Sequence, residues 1–126
     1  MSRRIGKSKK PSVDRDKALL TTSSVPAEKG FHFFTDVQKP TGIFATSIFD
    51  FLEQLKKVDL KSIEFHFKRN DFSKWLRDVI RDDWLAAEFE KLHAVELSAD
   101  ELRKRLVEIT EERCRQLAEA LKRLTR

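Results

Sequence analysis

His66 and Asp71 are the two side chains in this chain whose types and spacing best suit chemistry. An imidazole and a carboxyl group five positions apart, with Asn70 beside them, could move a proton or ligate a metal. The same atoms have a plainer use, in which His66 bridges two helices through a hydrogen bond and Asn70 or Asp71 caps the second. The plainer use is favoured, because no nucleophile or further ligand accompanies them in sequence. His32, His66 and His93 lie far apart and lack spacing such as H-E-x-x-H, so only the fold could assemble a three-histidine site. Cys114 is the single cysteine, which removes an internal disulfide and suits a reducing cytoplasm. Arg113 and Arg115 flank it and could lower its pKa, but its position on a helical stripe argues for a buried, inert thiol. Ser47 and Ser73 read as a cap and a first-turn residue, with no glycine-rich elbow around either. The glycines at 6, 30 and 42 are isolated, so no phosphate-cradling loop is present. No catalytic residue, metal, cofactor or small-molecule substrate is expected.

Charge carries the second chemical signal. Residues 1–17 hold the bases Arg3, Arg4, Lys7, Lys9, Lys10, Arg15 and Lys17 against Asp14 and Asp16, a net of +5. The remaining 109 residues hold 26 − 7 = 19 bases and 21 − 2 = 19 acids, so the body is neutral. A basic arm of this kind threads along RNA or DNA phosphates, or merely solubilises. No apolar run approaches the roughly 20 residues of a membrane span, and the N-terminus lacks the hydrophobic segment of a secretory signal.

These groups must be positioned by a small, mainly helical body of about four helices. Its 126 residues, 37% charged with 3 Gly and 3 Pro, indicate one domain and at most a tail. Residues 1–30 read as a flexible basic arm and linker, and 31–126 as the helical domain. Phe31–Phe34 suggests one short strand, followed by a loop over 36–42. Ser47 and Asp50 open a helix whose stripe is Ile48, Phe51, Leu52 and Leu55, ending near Val58. Residues 63–68 alternate like a strand, which would give an α+β fold with strands at 31–35 and 63–68; a helix is preferred. A helix runs from Asn70 to about Arg81, with Phe72, Trp75 and Leu76 packing. Asp82 or Asp83 caps another, and a break falls around 94–97. Ser98 and Glu101 form a capping box for a long last helix reaching Leu124. Its stripe is interrupted by Thr110 and Arg113, and its length suggests that Leu117, Leu121 and Leu124 meet a partner in a homodimer. Nine of ten phenylalanines fall between Phe31 and Phe72, as a core or, less favoured, a base-stacking platform.

The set Phe31-x-Phe33, Thr41-Gly42-x-x-Ala45-x-Ser47, Ser62-Ile63-x-x-His66, Asn70-Asp71-Phe72-Ser73-x-Trp75-Leu76 and Leu85-Ala86 resembles an uncharacterised prokaryotic domain family. That family is common in archaea and thermophilic bacteria, and the dense mixed charge leans the same way. The resemblance spans Phe31 to Val107 and is most specific between His66 and Trp75. Relatives carry helix-like sequence between the His and the Asn-Asp, which implies a helix over Ile63–Arg69. It implies no activity.

Taken together, the sequence points to a non-catalytic RNA- or ribosome-associated factor, dimeric in the manner of hibernation factors. The alternatives are a protein–protein adaptor with an incidental tail, and an enzyme or metal site at His66 and Asp71.

Overall fold

Residues 31–45 fold as a hairpin, where one strand and a loop were expected. The computed structural model describes residues 13–122 and shows β1 (Phe31–Asp36) antiparallel to β2 (Lys39–Ala45). The second strand is hard to see in sequence because Pro40 cannot donate to the ladder and Gly42 adopts φ 85°. The ladder absorbs both through register shifts on either side of Phe34, and Thr41 Oγ1 donates to the Phe33 carbonyl at 2.8 Å. Val37 and Gln38 turn the chain without glycine, Gln38 taking φ 60°.

Among the described residues six α-helices complete the fold: α1 (Arg15–Thr22), α2 (Ile48–Lys57), α3 (Leu60–Lys68), α4 (Asp71–Asp78), α5 (Asp83–Lys91) and α6 (Ala99–Lys122). The architecture is thus mainly α with a small β part, and residues 63–68 are helix, not strand. Ser47 Oγ accepts from Asp50 N–H as the expected box requires, while the Asp50 carboxylate reaches back one residue further than a box would, accepting from Thr46 N–H and not from the cap's own N–H. Ser98 and Glu101 exchange the reciprocal pair before α6. Asp82 caps α5 through Leu85 N–H.

The core is a cluster of aromatic rings at the meeting of hairpin and helices. Phe31, Phe33, Phe51, Phe72, Trp75 and Phe89 are buried, with neighbouring centroids such as Phe31–Phe33 at 4.9 Å and Phe51–Phe72 at 5.6 Å, both edge-on. Edge-to-face pairs of this kind add about 0.5–1.5 kcal/mol each beyond their buried area. Five of the ten phenylalanines are thus core, whereas Phe34, Phe65 and Phe67 are half-buried and Phe44 and Phe49 are exposed.

The two ends of the chain depart from expectation. The expected arm ends earlier, because residues 15–22 are helical and Val13, Ala18 and Thr21 are buried, with α1 against α6 and α2. Asp14 caps this helix through Lys17 N–H, a signal hidden inside the basic run. The last helix does not project from the body. Its 24 residues, about 36 Å at ~1.5 Å each, pack along α1, α2, α3 and α5. Leu117 is 0% exposed in the chain's own core and so is no surface for a partner; Leu121 is half-buried and Leu124 lies outside the described residues. Thr110 and Arg113, which seemed to break the apolar stripe, are buried on that same face. Arg113 Nε and Nη2 reach Asp82 at 2.8 and 3.1 Å, and its guanidinium covers the Trp84 ring.

Candidate functional site

The junction of α3 and α4 brings His66 and Asp71 together. Helix α3 stops at Arg69, and Asn70 takes the left-handed conformation (φ 64°) that ends one helix and starts the next. Asn70 occupies the cap position of α4 but makes no side-chain cap; its Oδ1 instead bonds His93 Nε2 at 2.8 Å. Nor is Asp71 the cap. Its Oδ2 accepts from His66 Nδ1 at 2.8 Å and Arg69 Nε at 3.0 Å.

His66 is fixed from both sides. Its Nε2 accepts the Phe34 backbone N–H at 2.8 Å, and a backbone amide can only donate. The ring is therefore the neutral tautomer with its proton on Nδ1, directed at Asp71. Burial agrees: it lowers the His66 pKa from the ordinary value, against the opposing pull of Asp71. Both nitrogens are thus committed, and the residue ties the outer edge of β1 to α3 and α4. The bond to Asp71 joins α3 to α4, the helix bridge favoured from sequence, and the bond from Phe34 adds a strand as a further partner.

Above this junction lies an open groove of about 430 Å³. One wall is the hairpin (Phe34, Val37, Gln38 and His32), the other α3 and α4 (Phe65, Arg69, Lys74, Val79 and Asp78), with Phe31, His66 and Trp75 beneath. Trp75 Nε1 is already satisfied, donating to the Lys29 carbonyl at 2.9 Å. Arg69 lies over the Phe65 ring at 4.8 Å to its centroid. The Lys74 ammonium, one turn from Asp78, makes no hydrogen bond or ion pair among the described residues, although its backbone N–H donates to the Asn70 carbonyl at 3.1 Å. A volume in the few-hundred Å³ range with mostly apolar walls and few polar groups is the ordinary form of a ligand site.

The other expected residues are dispersed. His32 bonds the Ala27 carbonyl and stacks on Phe44, whereas His93 stacks on Phe67, so the three histidines do not converge. Among the described residues no group of three or more His, Cys, Asp or Glu could hold a metal. Cys114 is buried with its pKa pushed up to about 12 by burial and then by Asp82 and Glu111, which outweigh the opposing pull of Lys56 and Arg113. Ser73 Oγ donates to the Asn70 carbonyl at 3.3 Å. Phe72 and Trp75 are core. Arg3, Arg4, Lys7, Lys9 and Lys10 lie outside the described residues; Arg15 is exposed on α1, and Lys17 Nζ donates to the Arg81 carbonyl at 2.7 Å. Sequence reasoning missed Phe34, Val37, Phe65, Arg69 and Lys74 as groove residues. Only the Arg69-x-Asp71 spacing beside His66 hinted at a charged rim.

Among the described residues no helix is long and apolar enough to cross a membrane. No curated protein and no solved structure gives a significant match. The model of one family matches twice, over residues 13–111 and 68–125, so its first match begins before α1 and includes that helix. The chain belongs to this family, DUF5752, a family of unknown function.

Proposed function

We propose that the protein is a non-catalytic binding module whose ligand seat is the groove between the hairpin and helices α3 and α4. The observation that carries this reading is the occupancy of His66. The one bonded imidazole–carboxyl pair in the groove has both ring nitrogens committed, one to the Phe34 N–H of β1 and one to Asp71, so His66 is not free to take a proton from a ligand, and the walls are apolar with a charged rim. The test is a titration of the full chain with a neutral aryl probe, 4-phenylbutanol, followed by amide NMR. The expected result is saturable shifts confined to residues such as Phe34, Val37, Lys74 and Val79. Shifts scattered over the surface, or none, would refute a seat in this groove.

A second reading rests on a different observation, the concentration of +5 in residues 1–17 beside a neutral remainder. It makes the protein a cytoplasmic RNA- or ribosome-associated factor whose N-terminal bases engage phosphates. About five contacts would give a log–log salt slope near −3.5 to −4.5, from ~0.7 to ~0.9 per contact. The deletion that tests it must stop at residue 12, because Val13 is buried and α1 packs on the body. Co-sedimentation with ribosomes that survives this deletion would end the second reading.

A further inference from the structure

We propose that the groove takes an anionic ligand with an apolar body, a monocarboxylate carrying an aryl or alkyl group. The proposal rests on the reading of the groove as a binding seat and adds the ligand's chemistry. It follows from which polar groups of the groove are spent and which are spare. His66 gives its proton to Asp71 and its lone pair to Phe34 N–H, and Trp75 Nε1 is spent on the Lys29 carbonyl. Asp71 Oδ2 already accepts from both His66 and Arg69. Spare donors remain at the rim. Arg69 uses only Nε in its side chain, so its two η nitrogens make no hydrogen bond among the described residues, and Lys74 Nζ has no partner there. A guanidinium held by a carboxylate on one side and an aromatic face on the other is pre-oriented, and its outer fork fits a carboxylate.

The body of the ligand follows from the walls. Phe34, Val37, Phe65 and Val79 offer apolar surface, and Gln38 is the one neutral side-chain amide in the lining. A nucleobase or sugar, rich in hydrogen-bonding groups, would leave those groups unpaired here, which disfavours it. An aryl or alkyl chain loses nothing by entering. Two carboxylates in the lining work against an anion: Arg69 and His66 already engage Asp71, whereas Asp78 lies one turn from Lys74 and makes no ion pair with it among the described residues. Removing that charge should therefore improve binding.

The experiment compares 4-phenylbutyrate with 4-phenylbutanol on the full chain by calorimetry and amide NMR. The acid should bind at least tenfold more tightly than the alcohol at the same groove resonances. Lys74→Gln, a substitution at an exposed position, should erase most of that tenfold preference while the alcohol's affinity stays. Arg69→Gln should do the same, with Arg69→Lys restoring part of it, and Asp78→Asn should raise affinity for the acid severalfold. Equal affinity for acid and alcohol overturns the proposal but leaves the groove as a seat. Failure of both probes to shift the groove overturns the seat as well. Adenosine monophosphate binding more tightly than 4-phenylbutyrate would assign the site to nucleotides and overturn the carboxylate class.

Discussion

Two polar junctions hold this protein together, and they are built to opposite specifications. Asp82 and Arg113 join the start of α5 to the middle of α6, with side chains 0% and 3% exposed. His66 and Asp71 join β1 to the α3–α4 corner, with side chains 5% and 26% exposed. In the first, the demands are met from inside. Asp82 accepts two guanidinium bonds and caps Leu85 N–H, and Arg113 spends a further donor on Gln116 and its face on Trp84. The second opens upward into the groove, and beside it Arg69 and Lys74 keep donors unspent. The closed junction can only support the fold, whereas the open one supports the fold from below and offers charge above.

The contrast is broken most sharply at Asp82. Replacing it with alanine strands a buried guanidinium and removes a helix cap at once. The expected loss is about 3–5 kcal/mol, read from urea unfolding. The double variant Asp82→Ala with Arg113→Met should recover much of this, because an apolar pair in that volume leaves no orphaned charge. A double variant as unstable as the single one would show that packing, not the stranded charge, sets the loss.

His66→Ala should come next, at roughly 2–3 kcal/mol, from a small cavity and an orphaned Phe34 N–H. Its signature is local as well as global: the Phe34 amide should lose hydrogen-exchange protection more than Leu117 or Leu106 in α6. Uniform loss across all three would mean that the hairpin is not separately latched by this residue.

How much of this was legible follows from which signals are local. The caps at Ser47, Asp82 and Ser98 and the break before α6 are read from neighbours in sequence, whereas the helix over 63–68, where local alternation resembles a strand, follows from the family resemblance; all of them stand in the structure. What the sequence hid was long-range. Arg113 looked like an interruption because its partner, Asp82, lies 31 positions away. Leu117 looked available to a partner because nothing in α6 announces that α1 and α2 will cover it; α1 itself was obscured by the basic run in which Asp14 caps it. Asn70 looked like a cap because asparagine often is one, but its left-handed backbone turned the side chain toward His93. The pairing of His66 with Asp71 was foreseeable at five residues' separation, while the acceptance from Phe34, 32 residues away, was not. The groove depends on that second bond, so it could not be seen before the hairpin was.

Acid should separate the two junctions further. The His66 pKa is lowered by folding from 6.5, so below pH ~6.5 the unfolded chain takes up a proton that the folded chain resists. Stability from this residue is therefore full above ~6.5 and declines as pH falls toward the lowered folded value. Protonation would also put a hydrogen on Nε2, facing the Phe34 N–H. His66→Gln keeps an acceptor for that amide and does not titrate. The stability gap between wild type and His66→Gln should accordingly narrow from pH 7.5 to pH 5 in urea titrations. A gap that stays constant would mean that His66 keeps an ordinary affinity for protons.

The smallest expected effect lies on the open side, and it tests whether the groove's charge is spare. Lys74 is exposed and its ammonium makes no hydrogen bond or ion pair among the described residues, and lysine and glutamine have similar helix propensity. Lys74→Gln should therefore change stability by no more than about 0.5 kcal/mol, as surface changes away from caps and core do. The value matters because of its position. Lys74 lies between Ser73 and Trp75, both buried, in a helix whose other face is core, so a side chain recruited by the fold there would be felt. A loss above about 1 kcal/mol would show that the ammonium already serves the structure, and the open junction would then be closed in the same sense as Asp82 and Arg113. A neutral result leaves a positive charge on the groove rim whose partner is not within the fold.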